Sequence, residues 1–156
     1  LQVPLTKFEK KNITLIGASC DTNEVHFAWL NTAKDNGGIE GVTYPLLADT
    51  TRNLSSVLGI LDVTSEVYNE ELDSVQIEGS NVTYRATYLI DETGKIFHES
   101  VNDMPLGRNV NEYLRLIDAY AHVQTHGEVC PAKWEEGKEA MFGGRTSTAE
   151  YLCKLN

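Results

Sequence analysis

The chain has 156 residues, with 23 acidic and 13 basic side chains, and its formal net charge is −10 at pH 7. This length suits one compact domain. The acidity argues against binding to nucleic acid or to an anionic membrane surface, because both need clustered Lys and Arg. Apolar residues make up 41% of the chain, and no apolar run approaches the length of a membrane span. We therefore expect neither a nucleic-acid partner nor a membrane partner.

The cysteine content limits the chemistry further. The chain contains Cys20, Cys130 and Cys153, and an odd number of cysteines does not form a closed set of internal disulfides. The sequence has no CxxC pair and no Cys/His cluster at the spacing of a zinc site. These features predict a reducing, cytoplasmic compartment, no structural metal and no bound cofactor.

The first part of the chain alternates between helix and strand patterns. Residues 1–11 have the spacing of the end of an amphipathic helix, and the apolar run 13–19 predicts a buried parallel strand. Asp21, Thr22 and Asn23 are suitable N-cap residues for a following helix. The predicted apolar face of that helix consists of Val25, Ala28, Trp29 and Thr32.

The middle of the chain continues this pattern and then becomes acidic. A second strand is predicted over residues 42–48, and Asp49 is a suitable cap for a short helix that ends at Gly59. Residues 62–82 contain six acidic side chains and no basic one. We interpret this stretch as a solvated loop or hairpin that is inserted into the domain.

The remaining elements are a hairpin and a long helix. Residues 83–90 are rich in β-formers, 91–94 predict a turn, and 95–101 predict the returning strand. A helix follows, with a capping-box-like start at Asn109 and Glu112 and a stop at Gly127. Its apolar positions are Val110, Tyr113, Leu114, Ile117 and Ala121. Together the elements predict an α/β domain with a mixed sheet.

Cys130 lies directly beyond the end of this helix and is followed by Pro131. A cysteine on a short, constrained connection is expected to be accessible. However, most free cysteines are small buried hydrophobic residues without a chemical role. Position alone leaves both interpretations open.

Several segments resemble the typical 2-Cys peroxiredoxins. Residues 126–134, His-Gly-Glu-Val-Cys-Pro-Ala-Lys-Trp, resemble the resolving-cysteine motif of that family, and residues 101–109, Val-Asn-Asp-Met-Pro-Leu-Gly-Arg-Asn, resemble a second family signature. The segments 26–29, 37–39 and 45–49 follow in family order and at roughly family spacing. Within the family, the chain resembles most the bacterial alkyl hydroperoxide reductase C type.

The resemblance implies a thioredoxin-like fold with a mixed central sheet flanked by helices, lacking its N-terminal strands and peroxidatic loop. Residues 1–125 would form the core, with 62–82 as an insertion, and residues 126–156 would form a C-terminal arm. The family's Pro-x-x-x-Thr-x-x-Cys motif is expected before Leu1 and does not occur in the 156 residues. Cys20 and Cys153 are expected to be structural or incidental, so the chain as written lacks the group for the first chemical step.

The activity that the resemblance implies is reduction of hydrogen peroxide and organic hydroperoxides. A peroxidatic thiolate becomes a sulfenic acid, and Cys130 of the partner subunit then condenses with it to a disulfide. A thioredoxin-like protein or a flavoprotein reductase restores both thiols. The implied assembly is a homodimer formed through edge-strand pairing of the hairpin 83–101, which can build a decamer. The alternative is a non-catalytic ring-forming scaffold or holdase chaperone.

Two arginines are further candidates for the site. Arg85 matches the family's arginine that lowers the thiol pKa and hydrogen-bonds the peroxide oxygens, although a surface arginine on a hairpin is the alternative. Arg108 would support Arg85 through a glutamate that follows the peroxidatic cysteine, or would be a charge flanking a helix. Of His26 and Trp29, one is expected to rim the pocket and the other to lie in the core. Trp134 is expected to anchor the C-terminal arm.

Overall fold

The computed structural model describes residues 5–63 and 65–154. The helices are α1 Thr6–Glu9, α2 Asn23–Leu30, α3 Asn53–Val57, α4 Val110–His126 and α5 Arg145–Cys153, and a 3₁₀ turn covers Lys34–Asn36. The strands are β1 Gly17–Ser19, β2 Leu46–Ala48, β3 Ser65–Asn69, β4 Ser74–Glu78, β5 Arg85–Ile90 and β6 Ile96–Asn102. None of the described helices is long and apolar enough to cross a bilayer.

The strands pair in sequence order, and the α/β class is confirmed. β1 and β2 are parallel, whereas β3–β4 and β5–β6 are antiparallel, so the predicted mixture of strand directions is present. Over the described ranges these pairs form three two-stranded sheets. The chain divides into two compact units, one ending at Arg108 and the other beginning at Asn109. The predicted division between a core and an arm at residue 126 stays a prediction.

The parallel pair is shorter than the apolar runs predict. Gly17 aligns with Leu46 and Ser19 with Ala48, so only the last three residues of each predicted strand join the ladder. A Cβ at Gly17 would lie 2.7 Å from a methyl carbon of Leu46, so glycine permits this close approach. Ile16, just before the ladder, is 61% exposed. The predicted strands were too long because they were drawn from the apolar runs, which extend beyond the residues that pair in the ladder.

Helix α2 begins where the sequence predicts but buries a different face. The Thr22 hydroxyl accepts a hydrogen bond from Val25 N at 3.3 Å, which confirms the cap. The predicted apolar face is wrong, because Val25 and Trp29 are 48% and 42% exposed, whereas His26 is 5% exposed. His26 Nε2 lies 2.7 Å from the Ser19 hydroxyl, a contact between the helix and the residue that ends β1. His26 therefore takes the core position and Trp29 the surface position.

Asp49 organises the start of α3, as predicted. Its carboxylate accepts hydrogen bonds from Leu54 N at 3.1 Å, from Ser55 N at 2.8 Å and from the Ser55 hydroxyl. These bonds satisfy backbone donors that a helix start leaves without partners. The Ser55 hydroxyl is the main cause that lowers the pKa of the Asp49 carboxyl. Gly59, with a φ of +65°, follows the helix.

The acidic insertion is a hairpin, one of the two predicted forms. β3 and β4 pair from Ser65 with Glu78 to Asn69 with Ser74. At its base the Asp62 carboxylate accepts hydrogen bonds from the hydroxyls of Ser80, at 2.7 Å, and Tyr84, at 3.0 Å. Both hydrogen bonds lower the pKa of the Asp62 carboxyl, and the bond from Ser80 has the larger effect. Apolar and aromatic side chains of the hairpin are exposed: Val67, Tyr68, Leu72 and Val75.

The long helix agrees closely with its sequence pattern. Tyr113, Leu114 and Ile117 are buried, as predicted, whereas Ala121 is exposed. Asn109 caps the helix by accepting from Asn111 N at 3.2 Å, and Gly127 ends it with a φ of +67°. Phe8, within the amphipathic helix predicted over residues 1–11, is also buried, while the start of that predicted helix, residues 1–4, lies outside the described ranges.

The Asp49 contacts generate a stability prediction. Asp49→Asn should lower the free energy of unfolding by about 1 kcal/mol at pH 7, because the amide replaces a charged acceptor of three hydrogen bonds. The folded pKa of Asp49 is lower than its unfolded value, so its contribution is present above the unfolded pKa and is lost as the pH falls through the folded pKa. Urea unfolding at a series of pH values measures this.

The matched control is Asp35→Asn, which removes an exposed carboxylate. The control should leave the unfolding midpoint unchanged. A difference between wild type and Asp49→Asn that stays constant down to acidic pH would contradict the assigned role of the carboxylate.

Candidate functional site

Cys130 lies on a loop that folds back after α4. This segment, residues 127–141, is called the Cys130 loop below. It starts at Gly127, and its two ends are joined where Val129 N donates to Met141 O at 2.6 Å and Met141 N donates to Val129 O at 3.1 Å. Within it, Trp134 N donates to Pro131 O at 3.1 Å. The thiol is thus presented from a closed loop with defined backbone geometry.

The Cys130 thiol is shielded, and its pKa is raised in this arrangement. Its sulfur lies 3.7 Å from the carbonyl oxygen of Ala119 on α4, to which the thiol donates, and the residue is half-buried. Burial is the main cause that raises the pKa of Cys130, the Glu128 carboxylate raises it further, and Arg115 acts in the opposite direction. Since the thiolate is the reactive form, this position holds the sulfur in its unreactive form.

Trp134 fixes the loop to the helix and confirms the expected anchor. Its side chain is 3% exposed, and its indole nitrogen donates to Lys138 O at 3.0 Å. Arg115 on α4 donates from Nη1 to Trp134 O at 3.0 Å. The same guanidinium binds both carboxylate oxygens of Glu112, at 2.7 and 2.6 Å, so its charge is already paired.

A histidine–glutamate pair joins the same two elements. His122 Nε2, on α4, lies 2.6 Å from an oxygen of Glu128, two residues before Cys130. The His122 ring also contacts the rings of His126 and Trp134, with centroid separations of 4.5 and 4.8 Å. His122 and Glu128 were not among the site residues predicted from the sequence. The spacing of His122 and His126 could have indicated His122, because residues four apart on a helix face the same side.

Arg85 and Arg108 are both held at the start of β5. Arg85 is exposed and donates from Nε to Met104 O at 3.0 Å. Arg108 donates from Nη1 to Ala86 O, also at 3.0 Å. The backbone of β5 and of the segment after β6 therefore brings the two predicted arginines to one place.

Arg85 lines an open cleft of about 240 Å³. The other lining residues are Ser19, Cys20, Asp21, Arg52, Val82, Thr83 and Met104. Cys20 follows β1, as expected, and its sulfur lies 3.8 Å from the Ser55 hydroxyl. The cleft combines two guanidinium groups, the Asp21 carboxylate and one half-buried thiol, which suits the binding of a polar group.

The predicted site residues are divided between the two compact units. Arg85 and Arg108 lie in the unit that ends at Arg108, and Cys130 lies in the unit that begins at Asn109. Cys20, Cys130 and Cys153 are all free thiols, and the described residues contain no His, Cys, Asp and Glu cluster that suits a metal ion. The catalytic roles assigned to Cys130, Arg85 and Arg108 stay predictions.

These elements define the class of protein, an α/β chain with free cysteines, and comparison with known proteins gives the family. The AhpC/TSA family matches residues 1–99, and the C-terminal domain of 1-Cys peroxiredoxin matches residues 119–150. The chain belongs to the AhpC/TSA family of peroxiredoxins. The resemblance to 2-Cys peroxiredoxins that the motifs indicated is confirmed by this family match together with individual relatives.

Individual relatives agree with this assignment. Alkyl hydroperoxide reductase C of Helicobacter pylori is 40% identical over 93% of the chain, and the human mitochondrial thioredoxin-dependent peroxide reductase is 37% identical over 96%. The reduced 2-Cys peroxiredoxin of Plasmodium vivax superimposes with a TM-score of 0.81, at 35% identity over 96% of the chain and 69% of that structure. The chain spans 65% of the length of the Helicobacter protein and 53% of the human protein.

The buried indole generates a second prediction. Trp134→Ala should destabilise the unit that begins at Asn109 by about 3 kcal/mol or more, because it leaves a large cavity and removes the hydrogen bond to Lys138. Limited proteolysis followed by mass spectrometry should then show faster cleavage after α4 than in the wild type. Phe142→Ala, which truncates a side chain that is 62% exposed in the same unit, is the control. Equal cleavage rates for Trp134→Ala and the control would contradict the anchoring role.

Proposed function

We propose that the protein to which these residues belong is a thiol-dependent peroxidase in which Cys130 is the resolving cysteine. The observation that carries the proposal is the half-buried Cys130 thiol, which donates to Ala119 O and has a raised pKa, within residues 119–150, the range that matches the peroxiredoxin C-terminal domain. A resolving thiol must not compete for peroxide, and a protonated thiol attacks peroxide slowly. The proposed substrates are hydrogen peroxide and organic hydroperoxides.

The chemistry requires a second cysteine outside the 156 residues. Its thiolate sulfur attacks one peroxide oxygen, the O–O bond breaks, and the products are a sulfenic acid and an alcohol or water. The Cys130 sulfur of the partner subunit then attacks the sulfenic sulfur. The S–S bond forms, the S–O bond breaks, and the departing hydroxide takes the thiol proton as water. A dithiol reductase of the thioredoxin or flavoprotein class returns two electrons to the disulfide.

Arg85 is proposed to stabilise the attacking thiolate and the peroxide. Its Nε is bound to Met104 O, which fixes the stem of the side chain, and the residue lines the open cleft. A fixed guanidinium lowers the pKa of a nearby thiol and offers donors where negative charge develops. Arg108 is proposed to support this arrangement, since it holds the backbone carbonyl next to Arg85.

The proposed assembly is a homodimer that pairs through the hairpin 83–101 and can build a decamer. In support, β5 and β6 form a two-stranded sheet within the described residues. One relative is named a thioredoxin-dependent peroxide reductase, which supports a thioredoxin-like reductase as a partner. A cytoplasmic location stays a prediction.

A non-catalytic scaffold or holdase is the second candidate. Exposed apolar side chains on α2 and β2, among them Phe27 at 71% and Leu47 at 46%, favour it. The mass of the natural protein discriminates between the two functions. A mass roughly 5 kDa above 17.3 kDa, with a cysteine in a Thr-x-x-Cys context, supports the peroxidase, since ~50 further residues complete such a domain. A natural protein without that cysteine leaves only the scaffold.

Substitution of the resolving thiol tests the proposed chemistry. In the natural protein, Cys130→Ser should abolish the peroxide-induced intersubunit disulfide on non-reducing gels and reduce turnover to background, because no thiol remains to attack the sulfenic acid. One round of peroxide consumption per subunit should survive. Cys153→Ser removes an exposed thiol and should retain the disulfide. A disulfide-linked dimer that persists in Cys130→Ser would show that another cysteine is the resolving one.

Substitution of the cleft arginine tests the peroxide step. Arg85→Ala should slow single-turnover peroxide reduction by about 100-fold and raise the pKa of the attacking thiol, because a charged donor to the developing negative charge is lost. Stopped-flow kinetics over a range of pH measures both effects. Arg145→Ala, at an exposed position on α5, is the control and should behave as wild type. Unchanged single-turnover kinetics for Arg85→Ala would remove Arg85 from the site.

A further inference from the structure

We infer that the His122–Glu128 pair is the positioning device that holds the Cys130 loop on α4 and keeps its thiol shielded, so that opening of this pair sets how fast Cys130 becomes reactive. The consequence of this pair for disulfide formation rests on the proposed function. The effect of the pair on the reactivity of the Cys130 thiol does not rest on it, because that effect depends only on contacts within residues 119–134.

One side chain contacts the loop on both sides of Cys130. His122 Nε2 is 2.6 Å from the Glu128 carboxylate, which precedes the cysteine, and the His122 ring is 4.8 Å from the Trp134 ring, which follows it. The thiol between them donates to Ala119 O on the same helix. The contacts to His122 therefore hold the loop on α4 on both sides of the sulfur.

The contact is a hydrogen bond between His122 Nε2 and the Glu128 carboxyl group. With Glu128 ionised, the carboxylate is an acceptor and His122 Nε2 is the donor. The side chains of His122 and Glu128 are only 22% and 26% exposed, so water competes weakly for this hydrogen bond. Hydrogen bonds that include an ionised group are stronger than those between two neutral groups.

Glu128 has a second effect through its charge. Its carboxylate acts on the nearby Cys130 and disfavours the thiolate, which adds to the effect of burial. The opposing cation, Arg115, is bound to Glu112 and is also near the charge of Glu135. The neighbouring ring of His126 contacts His122. In this inference the ring of His122 limits access to the thiol, whereas the carboxylate of Glu128 adds to burial in disfavouring its ionisation.

Alkylation of the reduced protein separates these two effects. Iodoacetamide is reacted from pH 7 to pH 10, and peptide mass spectrometry follows Cys130, with the exposed Cys153 in the same molecule as the reference. His122→Ala should raise the limiting alkylation rate of Cys130 by about tenfold, as expected when a hydrogen bond to a charged group is lost. Glu128→Gln should instead move the pH profile of Cys130 to lower pH. Its amide oxygen still accepts from His122, so the limiting rate should change little.

Glu139→Gln is the matched control, since it removes an ion pair with Lys154 in the same compact unit without touching the contacts of His122. It should leave both the limiting rate and the pH profile of Cys130 as in wild type. Wild-type values for both His122→Ala and Glu128→Gln would overturn the inference. A parallel rise in Cys130 and Cys153 reactivity would also overturn it, because general unfolding would then explain the change.

The experiment uses neither peroxide nor a partner thiol, so its outcome is independent of the proposed function. If the natural protein forms no disulfide with peroxide, the peroxidase proposal fails while the alkylation result stands. If the natural protein does form the disulfide, His122→Ala should accelerate its formation after one equivalent of peroxide. If His122→Ala speeds the alkylation of Cys130 but leaves the rate of disulfide formation unchanged, the His122–Glu128 pair does not limit disulfide formation.

Discussion

The burial of Trp134 beside α4 is the contact on which the C-terminal site depends. The indole is almost completely removed from solvent, its backbone carbonyl accepts from Arg115, and its ring contacts His122. Burying a side chain of this size offsets part of the conformational entropy that is lost when a loop without regular secondary structure is ordered. The position of Cys130 follows, because the loop that carries it is fixed by Trp134 on one side and by Glu128 on the other.

In the unit that ends at Arg108, backbone carbonyls have a comparable role. Arg85 reaches Met104 O and Arg108 reaches Ala86 O, so each arginine binds the segment from which the other comes. An arginine that uses one nitrogen for the protein backbone keeps others for a ligand, because the guanidinium has five donors. In the same unit the Asp49 carboxylate accepts hydrogen bonds from backbone N–H groups in the first turn of α3. The arginine contacts and the Asp49 contacts each fix a charged side chain by hydrogen bonds to the backbone.

Several features were predictable because they are local. The capping of α2 by Thr22, the turn at residues 91–94, the extent of α4 and its stop at Gly127 depend on backbone propensities and on side chains a few residues apart. The motifs around Cys130 and Arg108 identified the family for the same reason, since each is a contiguous run of residues. The prediction of the buried face of α2 failed, because periodicity shows that a face exists and not which element covers it.

The amino-acid sequence was sufficient for the α/β class, the order of most elements up to α4, the family and the residues that are candidates for the site. The three-dimensional arrangement was needed to show that His26 is buried while Trp29 is exposed, and that His122 on α4 contacts Glu128, two residues before Cys130. The difference lies in the range of the interactions. Propensity, capping and turn chemistry act within one or two turns of the chain, whereas burial and hydrogen bonding of a histidine depend on which distant segment packs against it.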